Sequence, residues 1–262
     1  MEYISLASGS SGNCHFIREK NTKLLIDAGI SGKNIINALS VHGFDLKDAK
    51  GILITHEHLD HIKGAGIISR KYNIPIYASS GTIKGMIGKI GKISENNIIQ
   101  IKKDTPFSIG DVEITAFDIS HDANEPVMYR LSDSKKSIAV ITDVGVITDK
   151  VVKYAAGCDT VVLESNHDIN MLEMGPYTYE LKKRVASNVG HLSNDAAGEF
   201  SAFLIKNGAK RIYLAHLSKQ NNMPLLAYQS VIAKLIENQI EAGKDMLLSV
   251  LGADKPSELV RV

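Results

Sequence analysis

Short apolar runs separated by polar, glycine-containing turns fill the first half of the chain, and stretches with a period near 3.6 alternate with such runs in the second half. "EYISLAS" predicts a strand leading into a Gly/Ser loop, and "HFIRE" and "KLLIDAG" on either side of the polar "KNT" predict a hairpin. "SGKNIINALSVHG" puts Ile35, Ile36 and Leu39 at helical spacing and stops at Gly43. "GILIT" reads as a short buried strand and "IKGAGIISRKY" as a helix. Further strands are expected in "IPIYAS", "NIIQIK", "PFSIGDVEITAFDIS", "PVMYRLSDSKKSIAVITD", "TVVLES" and "RIYLAH". Between the late strands, "TDKVVKYAAG", "NMLEMGPYTYELKKRVAS", "SNDAAGEFSAFLIKNG" and "MPLLAYQSVIAKLIENQ" predict helices, the third starting at Ser193 or Asn194 and ending before Gly208. Strands that meander early and alternate with helices late predict an α+β fold, two packed sheets with helices outside. No low-complexity segment, Pro-rich linker, charge block or fixed-period repeat interrupts the pattern, so the expectation is one domain over residues 1–262.

Composition narrows the function classes only slightly. Apolar content of 44% and charged content of 23% are those of an ordinary globular protein. Lys and Arg number 30 against 29 Asp and Glu, so no global field draws the chain to nucleic acid or anionic lipid, and any such attraction must be local. Cys14 and Cys158 stand alone, which supports neither a disulfide framework nor a thiolate zinc site and fits a reducing compartment. The N-terminus lacks a basic segment followed by an apolar core, and no stretch approaches 18 uninterrupted apolar residues; a cytoplasmic protein without membrane association is expected.

The chemistry concentrates in "THEHLDH", residues 55 to 61. An extended His56-Glu57-His58 sends both imidazoles to one side and Glu57 to the other. Asp60 and His61 follow as the chain turns into a helix and face a point beside the first pair. Four nitrogen or oxygen donors in two pairs suit zinc, manganese or iron, and two pairs suggest two ions. Three other segments place a polar residue just after an apolar run: His121 in "AFDISHDA", Asp143 in "IAVITDVG" and His216 in "IYLAHLS". Strand ends meeting at one sheet edge would gather these seven side chains. Two ions roughly 3.5 to 4 Å apart, sharing Asp143 and a hydroxide, would then suit an in-line displacement at phosphorus. Taken alone, His121 or His216 reads equally well as a satisfied structural histidine, and Asp143 as a turn residue. A zincin is excluded, because Asp60 stands where HExxH needs its second histidine.

The set "LLIDAG", "THEHLDH", "ISHDANEPVMY", "ITDVG", "LESNHD", "GHLSNDAAGEF" and "LAHLS" resembles the metallo-β-lactamase superfamily, and with "SLASGSSGN" it is most similar to the bacterial YycJ/WalJ (VicX) group. The resemblance implies an αββα sandwich with a dinuclear site of two divalent ions, zinc or manganese or iron. By family pattern His56, His58 and His121 bind one ion, Asp60, His61 and His216 the other, and Asp143 bridges. Asp27 in "LLIDAG" matches the aspartate that orients the ligand loop without being a ligand itself. Glu164 and His191 match, loosely, a carboxylate-supported histidine that protonates the leaving oxygen; with Asp60 they are the expected catalytic groups. The spacing of 22 positions from His121 to Asp143, and of 73 from Asp143 to His216, leaves no room for an exosite arm or a β-CASP insertion. Met128-Tyr129 stands where related enzymes tend to have Gly-Tyr, which puts that position's role in doubt. The implied activity is a metal-dependent phosphodiesterase or nuclease, a 5′-exonuclease with DNA favoured over RNA as partner. A small-molecule phosphodiesterase or thioester hydrolase, and a non-catalytic regulator of cell-wall two-component signalling, are the alternative readings.

Other residues keep two readings. "SGSSGN", residues 8 to 13, is a phosphate cradle or a tight strand connection. His167, beside Asn166, touches substrate or caps the next helix, and His15 and His42 read as structure or surface. Lys84, Lys89, Lys92, Lys102 and Lys103 flank the site or form a solvated face.

Overall fold

A computed structural model describes residues 1–262. In chain order it comprises β1 (Glu2–Ala7), β2 (Cys14–Glu19), β3 (Thr22–Ile26), α1 (Gly32–Val41), β4 (Gly51–Leu53), α2 (Leu59–Ile62), α3 (Ala65–Tyr72), β5 (Ile76–Ala78), α4 (Ser80–Met86), β6 (Ile98–Gln100), β7 (Phe107–Ile109), β8 (Val112–Asp118), β9 (Val127–Ser132) and β10 (Ser137–Ile141). There follow α5 (Asp149–Ala155), β11 (Thr160–Glu164), α6 (Ile169–Met174), α7 (Tyr179–Val185), α8 (Asn194–Lys206), β12 (Arg211–Ala215), α9 (Pro224–Glu237), β13 (Leu247–Val250) and β14 (Val260–Arg261).

The chain divides into two compact units. The first comprises Met1–Asp118, Ala123–Lys135 and Gly252–Val262, and the second Ile119–Asp122 and Lys136–Leu251. In the first, one sheet runs in the order β14-β1-β2-β3-β4-β5-β6, antiparallel from β14 to β3 and parallel from β3 to β6. The expected hairpin forms across Lys20-Asn21, pairing Glu19 with Thr22. β1 and β4 bury nearly every residue, which is why their sequences are continuous apolar runs rather than alternating ones. The core of this unit gathers Ile4, Phe16, Leu25, Ile35, Leu39 and Ile52, each worth about 1.5–3 kcal/mol of burial. β7, β8 and β9 form an antiparallel meander. Tyr129, the position whose role the sequence left in doubt, lies fully buried on β9 and donates its hydroxyl to the Ile54 carbonyl at 2.8 Å. Together with the Val127 amide on the Thr55 carbonyl at 3.0 Å, it fastens the meander to the backbone that leads into His56.

In the second unit β10, β11, β12 and β13 are all parallel, joined by the helices that the 3.6 period marks. α8 begins at Ser193, whose hydroxyl accepts the Ala196 amide, as its capping chemistry predicts. Parallel strands send their carboxyl ends to one edge: Asp143 lies just past β10, Glu164 closes β11 and His216 lies just past β12. That edge is where open α/β sheets place their ligand crevice.

Two expectations change. The helix expected over "NMLEMGPYTYELKKRVAS" is two, α6 and α7, because Gly175-Pro176 ends the first and Thr178 caps the second by accepting the Leu181 amide. α4, β13 and β14 have no counterpart in the periodicity: "SGTIKGM" carries two glycines, and β13 shows little burial on either face.

Candidate metal centre

The first unit carries four of the seven expected donors. Past β4 the chain stays extended as far as His58, and α2 then starts at Leu59, so strand geometry presents His56 and His58 while helix geometry presents Asp60 and His61. His56 Nε2 lies 3.1 Å from His58 Nδ1, and the His56 and His61 ring centroids are 4.0 Å apart. Asp60 Oδ2 lies 3.6 Å from His61 Nε2. Glu57 points the other way, as alternation requires, and its carboxylate accepts the Asn124 amide at 2.8 Å.

Behind these donors sits Asp27, fully buried and held at φ 58°. One carboxylate oxygen accepts the Thr55 amide at 2.9 Å; the other accepts the Thr55 hydroxyl at 2.8 Å and lies 2.8 Å from His61 Nδ1. Burial raises the Asp27 pKa, and the charge and hydrogen bond of His61 oppose that rise. A carboxylate on Nδ1 fixes the tautomer of His61, so that Nε2 carries the lone pair. Sequence reasoning missed Asn13. Its side chain, also fully buried, reaches His61 Nε2 at 3.1 Å, and its amide donates to the Asp60 carbonyl at 2.8 Å.

The loop at residues 8 to 13 is therefore the tight connection. The amides of Gly9, Gly12 and Asn13 are already donated, to the Asn13 side chain, the Gly9 carbonyl and the Asp60 carbonyl. Gly29 completes the anchor, because a Cβ there would fall 1.6 Å from the Asp60 carbonyl oxygen. We expect Gly29→Ala to shift α2, costing about 1–3 kcal/mol. Calorimetry should then show Tm lowered by several degrees and metal analysis reduced occupancy; an unchanged Tm and metal content would show that the contact is dispensable.

The second unit supplies the rest. Asp143 and His216 both take left-handed backbone, φ 56° and 54°, a conformation more common for Asp and His than for most side chains but rarely adopted without a local reason. Asp143 Oδ1 stands 3.5 Å from His216 Nδ1, 3.9 Å from His191 Nδ1 and 4.0 Å from His121 Nε2. His121 Nδ1 faces the Gly190 carbonyl at 3.4 Å, which turns Nε2 toward Asp143.

Glu164 is the anchor of this half. Fully buried, its Oε1 accepts from His216 Nδ1 at 2.6 Å and from His191 Nδ1 at 2.9 Å, while Oε2 accepts the Val144 and Leu192 amides at 2.9 and 3.0 Å. Burial works to raise its pKa, but the charges and hydrogen bonds of the two histidines outweigh burial and lower it. Against their own burial, His191 is raised chiefly by Glu164, and His216 by the charge of Asp143 and then by Glu164. His121, for which burial dominates, is lowered. The pairing of Glu164 with His191 was legible in the sequence; its second bond, to His216, was not.

The remaining candidates separate. His167 does not cap α6, a task that Asp168 performs on the Met171 amide; it is 3% exposed. Asn166 instead donates to the His216 carbonyl at 2.8 Å. His15 is structural, stacked on Tyr3 and bonded to its hydroxyl at 2.9 Å, and the half-buried His42 closes α1. Lys103 is held by Asp118 and Glu125, and Lys89 donates to the Glu57 carbonyl, whereas Lys84, Lys92 and Lys102 are exposed.

Imidazole and carboxylate donors without a thiolate, each imidazole turned by a second hydrogen bond or close polar neighbour, fit divalent cations. Fold and donor chemistry together define a metallo-hydrolase. Residues 22–217 match the model of the Beta-lactamase superfamily domain. The chain is 40% identical over 244 residues to exodeoxyribonuclease YycJ of Bacillus anthracis, covering 93% of this chain and 92% of that protein. It is 37% identical to exodeoxyribonuclease WalJ of Streptococcus pneumoniae, covering 100% and 98%. The metallo-β-lactamase fold protein YhfI of Bacillus subtilis superposes with a TM-score of 0.72 at 14% identity, over 98% of both chains. The chain belongs to the metallo-β-lactamase superfamily and, within it, to the group of YycJ and WalJ. Its fold is accordingly the expected αββα class, and it is a hydrolase of a class that works with divalent metal ions. No helix is long and apolar enough to cross a membrane.

Proposed function

We propose that this protein is a 5′-exonuclease acting on DNA, built as one hydrolytic domain around two divalent ions, zinc or manganese. His56, His58 and His121 would hold one ion, Asp60, His61 and His216 the other, with Asp143 between them. The observation that carries this reading is Glu164, whose one carboxylate steadies both a candidate ligand, His216, and a candidate proton donor, His191. Two ions bound there would supply an activated water and offset the charge that builds on phosphorus. His191, held on Nδ1 by Glu164, presents its Nε2 proton to the departing oxygen, while Asp27 orients His61 and the Asn13 backbone amide holds α2 through the Asp60 carbonyl. YycJ and WalJ, matched over nearly their whole length, carry the name exodeoxyribonuclease, which favours DNA over RNA and over a small diester.

Incubating metal-loaded protein with 5′- and 3′-labelled single- and double-stranded DNA, RNA and bis(p-nitrophenyl) phosphate tests this. Early release of label from the 5′ end of DNA is expected. Turnover of the small diester alone would overturn the nuclease reading in favour of a small-molecule hydrolase, and no turnover at all would favour a regulator.

Metal removal gives a second check. A ligand at 100 times its Kd adds roughly 2.7 kcal/mol of stability, and each kcal/mol moves Tm by about 2–4 °C in a chain of this size. Saturating manganese or zinc should therefore raise Tm by about 5–10 °C over the chelated protein in differential scanning fluorimetry. An unchanged Tm would show that no ion binds the folded state.

A further inference from the structure

We infer that the segment from Met174 to Arg184 is a track for single-stranded nucleic acid leading to His191, an inference that rests on the nuclease reading. Because the chain's net charge is only +1, attraction for a polyanion has to be local. α7 carries Lys182, Lys183 and Arg184 in a row. Tyr179 at its start is 75% exposed, and Met174 just before it is 87% exposed.

Helical spacing sorts these side chains by face. Tyr179 shares a face with Lys182 and Lys183, three and four residues on. Glu180 lies about 100° further round, with Arg184 at four residues' distance, and Arg184 is occupied by Asp122 at 2.5 Å. Lys183 makes no ion pair and is exposed; Lys182 donates to the Glu173 carbonyl at 2.8 Å. The Tyr179 face thus combines an open aromatic ring with two cations, with the exposed Glu173 and Glu180 at its edges.

This helix is indexed to the catalytic pair by backbone. The His191 amide donates to the Val185 carbonyl at 2.9 Å, and a Cβ at Gly190 would fall 2.2 Å from the Arg184 carbonyl oxygen and 2.3 Å from that of Val185. Six residues of helix put Tyr179 about 9 Å from Val185 along the axis. An unstacked strand, longer per nucleotide than the stacked duplex, bridges that distance with a nucleotide or two. An exposed ring beside cations is the stacking platform of single-strand binders, and it needs unstacked bases, which a duplex interior does not offer.

The test uses metal-loaded full-length protein and a short fluorescent phosphorothioate oligothymidylate, with Tyr179→Ala, Tyr179→Phe and Lys183→Gln beside wild type. Tyr179→Ala should weaken binding at least about fivefold, the lower end of what one base stack contributes, while Tyr179→Phe keeps it. Lys183→Gln should flatten the slope of log affinity against log salt by about 0.7, one phosphate's worth on a single strand. KM for DNA should rise with kcat held, and turnover of bis(p-nitrophenyl) phosphate should not change. Equal affinity and equal KM for Tyr179→Ala and a wild type that cleaves DNA would overturn the track and leave the nuclease reading standing. A wild type that neither binds nor cleaves the strand would overturn both.

Discussion

Asp143→Ala is expected to lower the occupancy of both ions and to slow DNA cleavage on the order of 10³ or more, the scale set by losing a principal electrostatic stabiliser. Three histidine nitrogens, on His216, His191 and His121, lie between 3.5 and 4.0 Å from one Asp143 oxygen, and the left-handed backbone at 143 holds that oxygen among them. Removing it takes away the group they share. Asp143→Asn keeps the shape without the charge and should bind metal poorly as well. Full metal content in either variant, measured by mass spectrometry after gel filtration, would show that Asp143 is not a bridge.

The second large effect separates chemistry from metal binding. His191→Ala should leave metal content intact while slowing DNA cleavage by about 10² to 10⁴, the usual worth of a positioned acid. His58→Ala should instead lose metal and activity together. The His191 defect should shrink on p-nitrophenyl esters, because a phenolate that is already stable on departure gains little from a proton. His191 touches Glu164 at 2.9 Å, and Glu164 also holds His216, so truncating Glu164 should cost both metal and rate. Equal losses at His191 on DNA and on the activated ester would assign it to substrate holding or to the fold.

The contrast between His191 and Asn13 marks how far the sequence reaches. The seven candidate ligands could be proposed because each follows an apolar run or sits in a tight cluster; of these, Asp143 and His216 stand just past the parallel strands β10 and β12, at one edge of their sheet. Glu164 and His191 could be paired through resemblance. What one sequence does not carry is the register between distant strands. The bond from Glu164 to His216 spans 52 positions and exists because β11 and β12 pair Glu164 with Ala215, one residue before the histidine. Asn13 was hidden in a Gly/Ser loop whose composition reads as a turn; only its packing against α2 gives it a partner at His61. The break between α6 and α7 was written as Gly175-Pro176, but the apolar periodicity on either side masked it. β13 and β14 lack a buried face, so no pattern announces them.

The metal-to-protein ratio decides whether the proposed hydrolytic centre is dinuclear. Protein saturated with manganese or zinc, freed of loose metal and measured by mass spectrometry against quantitative amino-acid analysis, should carry two ions per chain. One ion per chain, or none, would rule out a dinuclear centre.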